Sequence, residues 1–286
     1  MNIQWYPGHM TKTRRMMLEQ LKHVDLVCEI IDARIPMSSR NPDLDEIAKG
    51  KPRLLVLNRS GQADPKMNQV WTKYWSGQGL TVLETDSKTG AGINRFPSAV
   101  RSILKEKLEH YAQKGQVGRT VRVMVAGVPN VGKSTFINKV AKRKSAKAED
   151  RPGVTRGRQW VTVENGLELL DTPGILWPKF EDEMVGLHLA FTGAVRDQVI
   201  DAESLAFALM EVLAERYGDA LEARYKIKPE EGQKGYELLE QAAKRRGFLI
   251  SGGEPDLERM ANVLLDEYRG GKLGRITLEA PPQPEE

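Results

Sequence analysis

The stretch "AGVPNVGKST", residues 126–135, constrains the fold of this 286-residue chain more than any other part of its sequence. It fits the pattern G-x-x-x-x-G-K-[ST], it ends a strand-like apolar run, and a helical pattern follows it. Glycines in such a turn let backbone N–H groups approach and wrap around phosphate oxygens. The motif therefore predicts a nucleoside triphosphate site between a strand and a helix.

Individual residues of this loop have distinct predicted roles. Lys133 is expected to neutralise charge on the β- and γ-phosphates as a catalytic group, and the Ser134 hydroxyl is expected to bind Mg²⁺. The predicted phosphate-binding residues are Asn130, Val131, Gly132, Lys133, Ser134 and Thr135.

Two later segments complete the expected phosphate site. In "DTPG" (171–174), Asp171 is expected to hold Mg²⁺ through water, and the Gly174 N–H to contact the γ-phosphate. Between the motifs, Thr155 in "DRPGVTRG" (150–157) is a candidate second hydroxyl ligand of Mg²⁺. A loop held in this way becomes ordered only when the third phosphate and the metal are present.

A candidate base-reading site lies ahead of the phosphate loop in the chain. Many GTPases read guanine with Asn-Lys-x-Asp at a strand end, and "RLLVLNRSGQAD" (53–64) resembles that pattern. A second strand ends in "TDSKTG" (85–90). Because the termini of compact domains are often close, the order of elements can rotate without changing the packed sheet. The predicted base-site residues are Asn58, Arg59, Ser60, Gly61, Asp86, Ser87 and Lys88.

Gly61 is the departure from the base-reading pattern, because it stands where the aspartate should be. A carboxylate there would accept hydrogen bonds from guanine N1–H and the exocyclic amine, which adenine cannot offer. Asp64 is the nearest carboxylate in the local sequence, three residues beyond the required place. The expected consequence is weakened GTP affinity and a blurred choice between GTP and ATP, which Gly61→Asp would reverse.

The remaining pattern predicts an α/β fold followed by helices. Strand-like runs alternate with helical ones, and Asn165-Gly166 joins the last two strands as a hairpin, which indicates a doubly wound, mostly parallel sheet. After about residue 178 the spacing is helical until the short strand-like "GRITLE" (274–279). The predicted strands are 25–34, 52–58, 81–86, 120–127, 160–165 and 167–171, and the predicted domains are 1–178, 179–279 and a disordered tail, 280–286.

Charge and composition limit the kinds of partner that this chain is expected to bind. The net charge is +4, which fits either a solvated surface or a partner with a phosphate backbone, and the clustering of basic residues favours nucleic acid. No apolar run approaches the ~18 residues of a membrane span. A single cysteine, Cys28, fits a reducing cytosol. The predicted RNA-contacting residues are Lys12, Arg14, Arg15, Lys244, Arg245 and Arg246.

Longer stretches carry a resemblance to a known family. They are "QWYPGHM" (4–10), "DARIPMSSRNP" (32–42), "GVPNVGKST", "RPGVT" and "LLDTPGILWPKFEDE" (169–183). Through them the chain resembles the circularly permuted GTPases of the YlqF/RbgA family over almost its whole length. The resemblance implies GTP and GDP as ligands with Mg²⁺, and a role late in assembly of the large ribosomal subunit. It also implies a C-terminal helical domain that contacts RNA. We expect a cytoplasmic monomer without membrane association.

The group that orients the attacking water is not evident from the motifs. Many GTPases use a Gln after D-x-x-G, but Ile175 stands there. His9 is the candidate, since a neutral imidazole can orient water, and its alternative role is an RNA contact. Asn130 matches a position where some GTPases hold K⁺, and otherwise it stabilises the loop.

Two other functions fit the sequence besides GTP hydrolysis in ribosome assembly. One is a nucleotide-dependent RNA-binding module with little hydrolysis, and the other is an ATPase or an NTPase with relaxed base choice. A further expectation concerns "DTPGILWPKFEDE", which runs directly into the helical region. It either couples the γ-phosphate contact to that region or serves as a passive linker.

Overall fold

The computed structural model describes residues 10–142, 159–163, 166–177, 180, 182–195 and 201–283, without the side chains of 10–13 and 159. Contacts divide the chain into two compact units. The sheet unit contains the described residues up to 177 together with 279–283. The helical unit contains those from 180 to 278.

The sheet unit is built on six strands in the order β3-β2-β1-β4-β6-β5. Only β5 runs antiparallel, against β6, among the strand pairs of the described chain. This arrangement confirms the predicted mostly parallel sheet. The strands are β1 (Leu26–Asp32), β2 (Arg53–Asn58), β3 (Thr81–Glu84), β4 (Val121–Ala126), β5 (Gln159–Val163) and β6 (Leu167–Asp171).

Continuous apolar runs explain why these strands lie in the middle of the unit. All seven residues of β1 are buried, as expected of a parallel strand covered on both faces. Cys28 of β1 is paired with Leu54 of β2 on one side and with Val125 of β4 on the other, so these three residues lie side by side across the sheet. Strand β4 lies next to β1 although it follows β3 in the chain, which is the rotated element order that the sequence predicted.

Helices cover the two faces of this sheet. The helical pattern of "AVRSILKEKLEHYAQKG" (99–115) predicts one helix, but the structure has two, because buried Leu104 has φ −95° and ψ 9° and interrupts the helical backbone. The helices of the sheet unit are α1 (Met10–Leu21), α2 (Asp43–Ile47), α3 (Pro65–Gly77), α4 (Phe96–Ile103), α5 (Lys105–Gln113) and α6 (Lys133–Val140).

The helical unit packs α8 against two later helices. Gly235 of α10 lets the backbones of α10 and α8 come close together, because a Cβ atom at Gly235 would lie 2.0 Å from the Phe207 carbonyl oxygen. Leu209, Leu239 and Leu264 are fully buried in this unit. Its helices are α7 (Glu183–Phe191), α8 (Ala202–Arg216), α9 (Gly218–Tyr225), α10 (Gly235–Arg246) and α11 (Leu257–Gly270).

The strand-like segment 274–279 is not a strand, which corrects the sequence reading. Its apolar side chains Ile276 and Leu278 are buried, and side chains satisfy its backbone instead of a partner strand. The Tyr217 hydroxyl donates to the Thr277 carbonyl at 2.9 Å and accepts from its N–H at 3.0 Å, and Arg216 donates to the Leu278 carbonyl.

The last described residues belong to the sheet unit, where Glu279 is buried. Its carboxylate accepts hydrogen bonds from the Met37 and Ser38 N–H groups, and its carbonyl accepts one from Trp71 Nε1 at 3.2 Å. The end of the predicted tail, 284–286, is outside the described residues. None of the helices described here is long and apolar enough to cross a membrane.

Candidate nucleotide-binding site

The phosphate loop follows β4 and leads into α6, as the motif predicts. Two of its glycines have backbone angles that other residues rarely adopt: φ is 152° at Gly127 and 98° at Gly132. Neighbours also exclude a side chain at both, since a Cβ atom would lie 2.4 Å from the Ile30 carbonyl oxygen at Gly127. At Gly132 it would lie 2.6 Å from Asn58 Nδ2. These glycines are therefore required by the loop's geometry.

Lys133 begins α6 and is only 7% exposed. Its Nζ donates to the carbonyl oxygens of Val128 at 2.8 Å and Gly127 at 3.2 Å. Burial lowers the pKa of Lys133 to about 8, although the nearby Asp171 acts in the opposite direction. An anionic phosphate beside this amine would favour the charged form of the lysine.

Ser134 and Asp171 meet at the mouth of the loop, as the sequence predicted for an Mg²⁺ site. Ser134 Oγ donates to Asp171 Oδ2 at 3.0 Å, and Asp171 Oδ1 is buried without a hydrogen-bond partner among the described residues. Burial raises the pKa of Asp171, while Lys133 and the Ser134 hydroxyl oppose the shift. A hydroxyl beside a carboxylate with a spare buried oxygen suits Mg²⁺, which takes its other ligands from phosphate and water.

No group of three or more His, Cys, Asp and Glu side chains able to hold a metal occurs in the part of the chain that the structure describes. This finding is compatible with Mg²⁺ in a phosphate site, where one or two protein groups are enough. The third predicted ligand, Thr155, is outside the described residues.

The "DTPG" segment is packed against the phosphate loop. Thr172 Oγ1 donates to the Val125 carbonyl at 2.7 Å, which fixes the segment to β4. A Cβ atom on Gly174 would lie 2.6 Å from Pro129 Cα and 3.0 Å from Lys133 Nζ. Gly174 is therefore next to the loop lysine, and only glycine fits in its place.

Asn58 connects the base-reading segment to the phosphate loop. Its Oδ1 accepts from Ser87 N at 3.0 Å and from Ser87 Oγ at 2.7 Å, and its Nδ2 donates to the Val131 carbonyl at 2.9 Å. The side chain is 1% exposed. The structure therefore brings three separately predicted segments together at one amide group.

Arg59 extends the same connection. The backbone of Arg59 has a φ of 60°. Its side-chain NH2 donates to the Asn130 carbonyl at 2.6 Å, and its Nε lies 3.6 Å from Asp32 Oδ2. Asp32 is also held by Arg34, with Arg34 Nε 2.9 Å from Asp32 Oδ1. Burial alone would raise the pKa of Asp32, but the two guanidinium groups lower it below its ordinary value.

Sequence reasoning missed Asp32 and Arg34 as parts of this site. Both are in "DARIP" (32–36), at the end of a predicted strand. The only sequence signal for an ion pair there is an acid two residues before an arginine. Arg34 is 1% exposed, so its pairing with the acid is structural support and not a surface contact.

The structure changes the interpretation of Gly61. A Cβ atom at this position would lie 2.3 Å from Asp86 Oδ2, so the nearest carboxylate in space comes from the neighbouring loop. Asp64 is used elsewhere, because its Oδ1 caps α3 by accepting from the N–H of Lys66 at 2.8 Å. Asp64 therefore belongs to the N-terminal cap of α3.

The other predicted residues of the site differ in exposure. Ser87 and Val131 are buried, Ser134 and Thr135 are half-buried, and Lys88 is exposed. The Ser60 N–H donates to the Thr85 carbonyl at 3.0 Å, which joins the two base loops. The exposed Asn130 has φ 56°.

Two positions, Ile175 and His9, bear on how the attacking water is oriented. Ile175 packs against the apolar cluster that contains Met17 and Leu21, and its N–H donates to the Gly127 carbonyl at 3.3 Å. It is therefore part of the packing and offers no side-chain polar group. His9 is outside the described residues.

The predicted RNA-contacting residues divide into exposed and internally paired groups. Lys244 and Arg245 are exposed, and Lys244 pairs with Glu240 one helical turn away. Arg246 differs, because its NH2 is 2.8 Å from Glu267 Oε1 inside the helical unit. Arg14 is 2.9 Å from Glu46, and Arg15 lies 3.9 Å from Glu19.

Comparisons with known proteins agree with this site. Residues 122–232 match the family described as 50S ribosome-binding GTPase. Ribosome biogenesis GTPase A of Priestia megaterium is 45% identical, over 100% of this chain and 99% of that protein. The protein of the same name from Thermotoga maritima is 32% identical, over 98% of this chain and 95% of that protein.

Two solved structures are similar over nearly the whole chain, each at 29% identity. The GDP-bound structure of TM YlqF has a TM-score of 0.69 and covers 93% of this chain and 99% of its own. GNP-bound YlqF from T. maritima has a TM-score of 0.65 and covers 94% of this chain and 98% of its own. With the rotated sheet order and the assembled phosphate loop, these matches show that the chain belongs to the ribosome biogenesis GTPase A family of circularly permuted GTPases.

Proposed function

We propose that this chain is a GTP-hydrolysing assembly factor that binds precursors of the large ribosomal subunit through RNA. The names of its relatives support the ribosomal partner, and the site supports the chemistry. The observation that carries the proposal is the meeting of Ser134 with Asp171, 3.0 Å apart, next to a buried Lys133. Two motifs that are separate in sequence, the phosphate loop and "DTPG", converge there, as phosphoryl transfer requires.

The residues of the loop act by positioning and by neutralising charge. Lys133 would exchange its two carbonyl partners for the β- and γ-phosphates, and the Gly174 N–H would approach the γ-phosphate. Ser134 and Asp171 would hold Mg²⁺, with Thr155 as a further ligand. When bound, this ion would offset the negative charge that develops on the phosphate oxygens during transfer.

Water activation requires a group other than Ile175, which is packed in an apolar cluster. We keep His9 as the candidate that orients the water, with an RNA contact as its alternative role. K⁺ at Asn130 is a second candidate source of charge. Asn130 is exposed, and its side-chain amide oxygen is the atom proposed to contact the ion.

Nucleotide state is proposed to reach the helical unit through the "DTPG" segment. Gly174 is packed against the loop, and the helical unit begins only six residues later, at Phe180. The exposed basic residues of α10 are proposed to contact RNA, since phosphate contacts dominate affinity for nucleic acids. Such a factor would act in the cytoplasm as a monomer.

The test is phosphate release from GTP with and without large ribosomal subunits. Lys133→Ala and Ser134→Ala should each reduce turnover by about 100-fold or more, because they remove phosphate neutralisation and a metal ligand. Lys139→Ala is the matched control, since Lys139 is an exposed lysine on the same helix, α6. Subunits should stimulate the unaltered protein.

Two results would contradict the proposal. Normal turnover in Lys133→Ala and Ser134→Ala would mean that the phosphate site is assigned wrongly. GTP-dependent co-sedimentation with large subunits, without any release of phosphate, would instead favour a nucleotide-dependent RNA-binding module.

A further inference from the structure

Gly61 and Asp86 occupy complementary places in the base-reading site. Gly61 lacks the carboxylate that the guanine-reading pattern requires, and the carboxylate of Asp86 lies beside it. We propose that Asp86 supplies the guanine-reading carboxylate of this protein, so that the reading group has moved from the loop after β2 to the loop after β3. This inference rests on the proposed nucleotide site and concerns how that site selects its base.

The distance between the two residues is the first argument. Asp86 Oδ2 is 2.3 Å from the position of a Cβ atom at residue 61. In an aspartate, each carboxylate oxygen lies about 2.4 Å from its own Cβ, since C–C and C–O bonds of about 1.5 and 1.2 Å meet at a trigonal angle. Asp86 therefore places an oxygen as far from that point as an aspartate at position 61 would.

The hydrogen bonds of Asp86 are the second argument. Its Oδ1 accepts from Lys88 N at 2.8 Å and from Thr89 N at 3.1 Å, and its own N–H donates to the Ala91 carbonyl at 2.9 Å. These bonds fix the orientation of the carboxylate. Oδ2 has no hydrogen-bond partner among the residues that the structure describes, although Asp86 is only 6% exposed. An oriented acceptor oxygen without a partner, on a residue that is otherwise largely buried, is suited to a ligand donor.

The sheet explains how the two residues come together. Leu57 pairs with Glu84 in the parallel β2–β3 ladder, so both strands end at the same edge. The Ser60 N–H donates to the Thr85 carbonyl at 3.0 Å, immediately before the two residues in question. Asn58, which holds Ser87, belongs to the same cluster. Gly61 and Asp86 are thus held at one position relative to the predicted base.

The chemistry of guanine gives the proposal its specificity. Guanine presents two adjacent donors, N1–H and the exocyclic amine, and an ionised carboxylate only accepts. Xanthine has a carbonyl in place of that amine, so it presents one donor and one acceptor. An amide side chain, with one acceptor and one donor group, matches xanthine and no longer matches guanine.

The proposal also changes the expected effect of Gly61→Asp. In the unaltered background, the new side chain would meet Asp86 at 2.3 Å and would place two carboxylates together. GTP affinity should therefore fall, which is the opposite of the expectation from sequence alone. Restoring the usual pattern requires a second change, Asp86→Ser, that vacates the space.

The experiment measures affinities for GTP, XTP and ATP by displacement of a fluorescent GTP analogue and, in parallel, of a fluorescent XTP analogue. Asp86→Asn keeps an oxygen at Oδ1 for Lys88 N and Thr89 N and changes only the group at Oδ2. GTP affinity should fall by about 100-fold, and XTP affinity should rise above that for GTP. Asp64→Asn is the control, because it makes the same substitution at the N-cap of α3. Aspartate and asparagine are about equally favourable at an N-cap.

A swap variant tests the same point independently. Asp86→Ser alone should lose the preference for GTP over ATP, and Gly61→Asp together with Asp86→Ser should regain it. A gain of XTP binding or a regained preference cannot come from misfolding. An Asp86→Asn variant that still prefers GTP to XTP, or a swap variant without recovery, would overturn the proposal.

The proposed function and this inference can fail separately. Lys133→Ala should weaken GTP, XTP and ATP alike, because it alters only the phosphate site. If Lys133→Ala binds normally, the phosphate assignment is wrong. If it loses all three nucleotides while Asp86→Asn leaves the base preference unchanged, only the assignment of Asp86 is wrong.

Discussion

Glu267 shows how one carboxylate can hold several elements of the helical unit. Its Oε2 accepts from Arg224 Nε at 2.9 Å and from the Tyr225 hydroxyl at 2.8 Å, and its Oε1 accepts from Arg246 NH2 at 2.8 Å. These donors come from α9 and α10, and Glu267 is on α11. The Arg224 hydrogen bonds contribute most to lowering the pKa of Glu267 to about 2, while burial opposes them.

This pKa predicts how the stability of the helical unit depends on pH. Because the folded pKa of Glu267 is below its ordinary value of 4.5, the stabilisation is complete above about pH 4.5 and is lost as the pH falls toward 2. Glu267→Gln should lower the free energy of unfolding by about 3 kcal/mol at pH 7, since it leaves two guanidinium groups without an anion. The difference between the variant and the unaltered protein should shrink below pH 4.5.

Urea unfolding at pH 7 and pH 3 measures this difference. Asp266→Asn is the control, because Asp266 is exposed and adjacent on the same helix. It should change stability by less than about 0.5 kcal/mol at either pH. Equal stability of Glu267→Gln and the unaltered protein at pH 7 would show that the ion-pair cluster is not stabilising.

At the scale of elements, the site is made by loops at the carboxyl ends of parallel strands. Strands β1, β2, β4 and β6 run in the same direction and end at one edge of the sheet. Asp32 and Asn58 are the last residues of β1 and β2, the phosphate loop follows β4, and "DTPG" begins with the last residue of β6. The phosphate loop and Gly174 are in close contact, because a Cβ atom on Gly174 would lie 2.6 Å from Pro129 Cα.

Gly174→Ala is a direct test of that packing. The new Cβ atom would lie 2.6 Å and 2.7 Å from backbone atoms of Pro129, which cannot rotate away, so one of the two loops must move. An overpacked contact of this kind costs about 1–3 kcal/mol. We expect turnover of GTP to fall at least about tenfold, with a smaller loss of GDP affinity because GDP lacks the γ-phosphate.

Gly77→Ala is the matched control for this substitution. Gly77 ends α3, has no positive φ, and no atom lies within 4 Å of its added Cβ. Turnover and GDP affinity should therefore stay at the level of the unaltered protein. A Gly174→Ala variant that hydrolyses GTP normally would contradict the close packing of the two loops.

At the scale of the whole molecule, the chain passes between two units and carries an excess of positive charge. It enters the helical unit at Phe180 and returns to the sheet unit at Glu279. The net charge of +4 gives no position for a partner by itself. The structure separates basic side chains that stabilise a unit, such as Arg246, from exposed ones, such as Lys244 and Arg245.

Charge reversal at the exposed pair tests the proposed RNA surface. Lys244→Glu with Arg245→Glu should weaken co-sedimentation with large ribosomal subunits. It should also reduce the slope of log affinity against log salt by about 2, because two fewer counterions are released. Arg246 is left unchanged, since its reversal would place two anions together at Glu267 and would perturb the fold.

The control reverses the same amount of charge elsewhere. Lys66→Glu with Lys73→Glu alters two exposed lysines of α3, so the net charge changes equally. This variant should keep the salt slope of the unaltered protein. If both double variants lose the same affinity and slope, the effect comes from overall charge, and α10 is not the RNA surface.

The sequence by itself determined the class of fold, and it predicted which loop binds phosphate. Apolar runs such as β1 and the spacing of the loop glycines are local patterns. Each is compatible with one kind of local backbone structure, a buried strand for the first and a phosphate-binding turn for the second. The rotated element order was also predictable, since Asn58 and Lys133 identify their own segments. The structure of the short segment 274–279 was not predictable in this way. Its apolar side chains are buried like those of a strand, but its backbone forms hydrogen bonds with the Tyr217 hydroxyl and has no partner strand among the described residues.

Only the tertiary structure decided which distant residues act together. Gly61 alone predicted a damaged base reader, whereas the β2–β3 pairing brings Asp86, 25 residues later, to within 2.3 Å of the missing side chain's place. Arg245 and Arg246 are equivalent in sequence, but helical geometry directs one to solvent and the other to Glu267. Local patterns specify elements, while contacts across elements depend on the register and packing that the whole fold imposes.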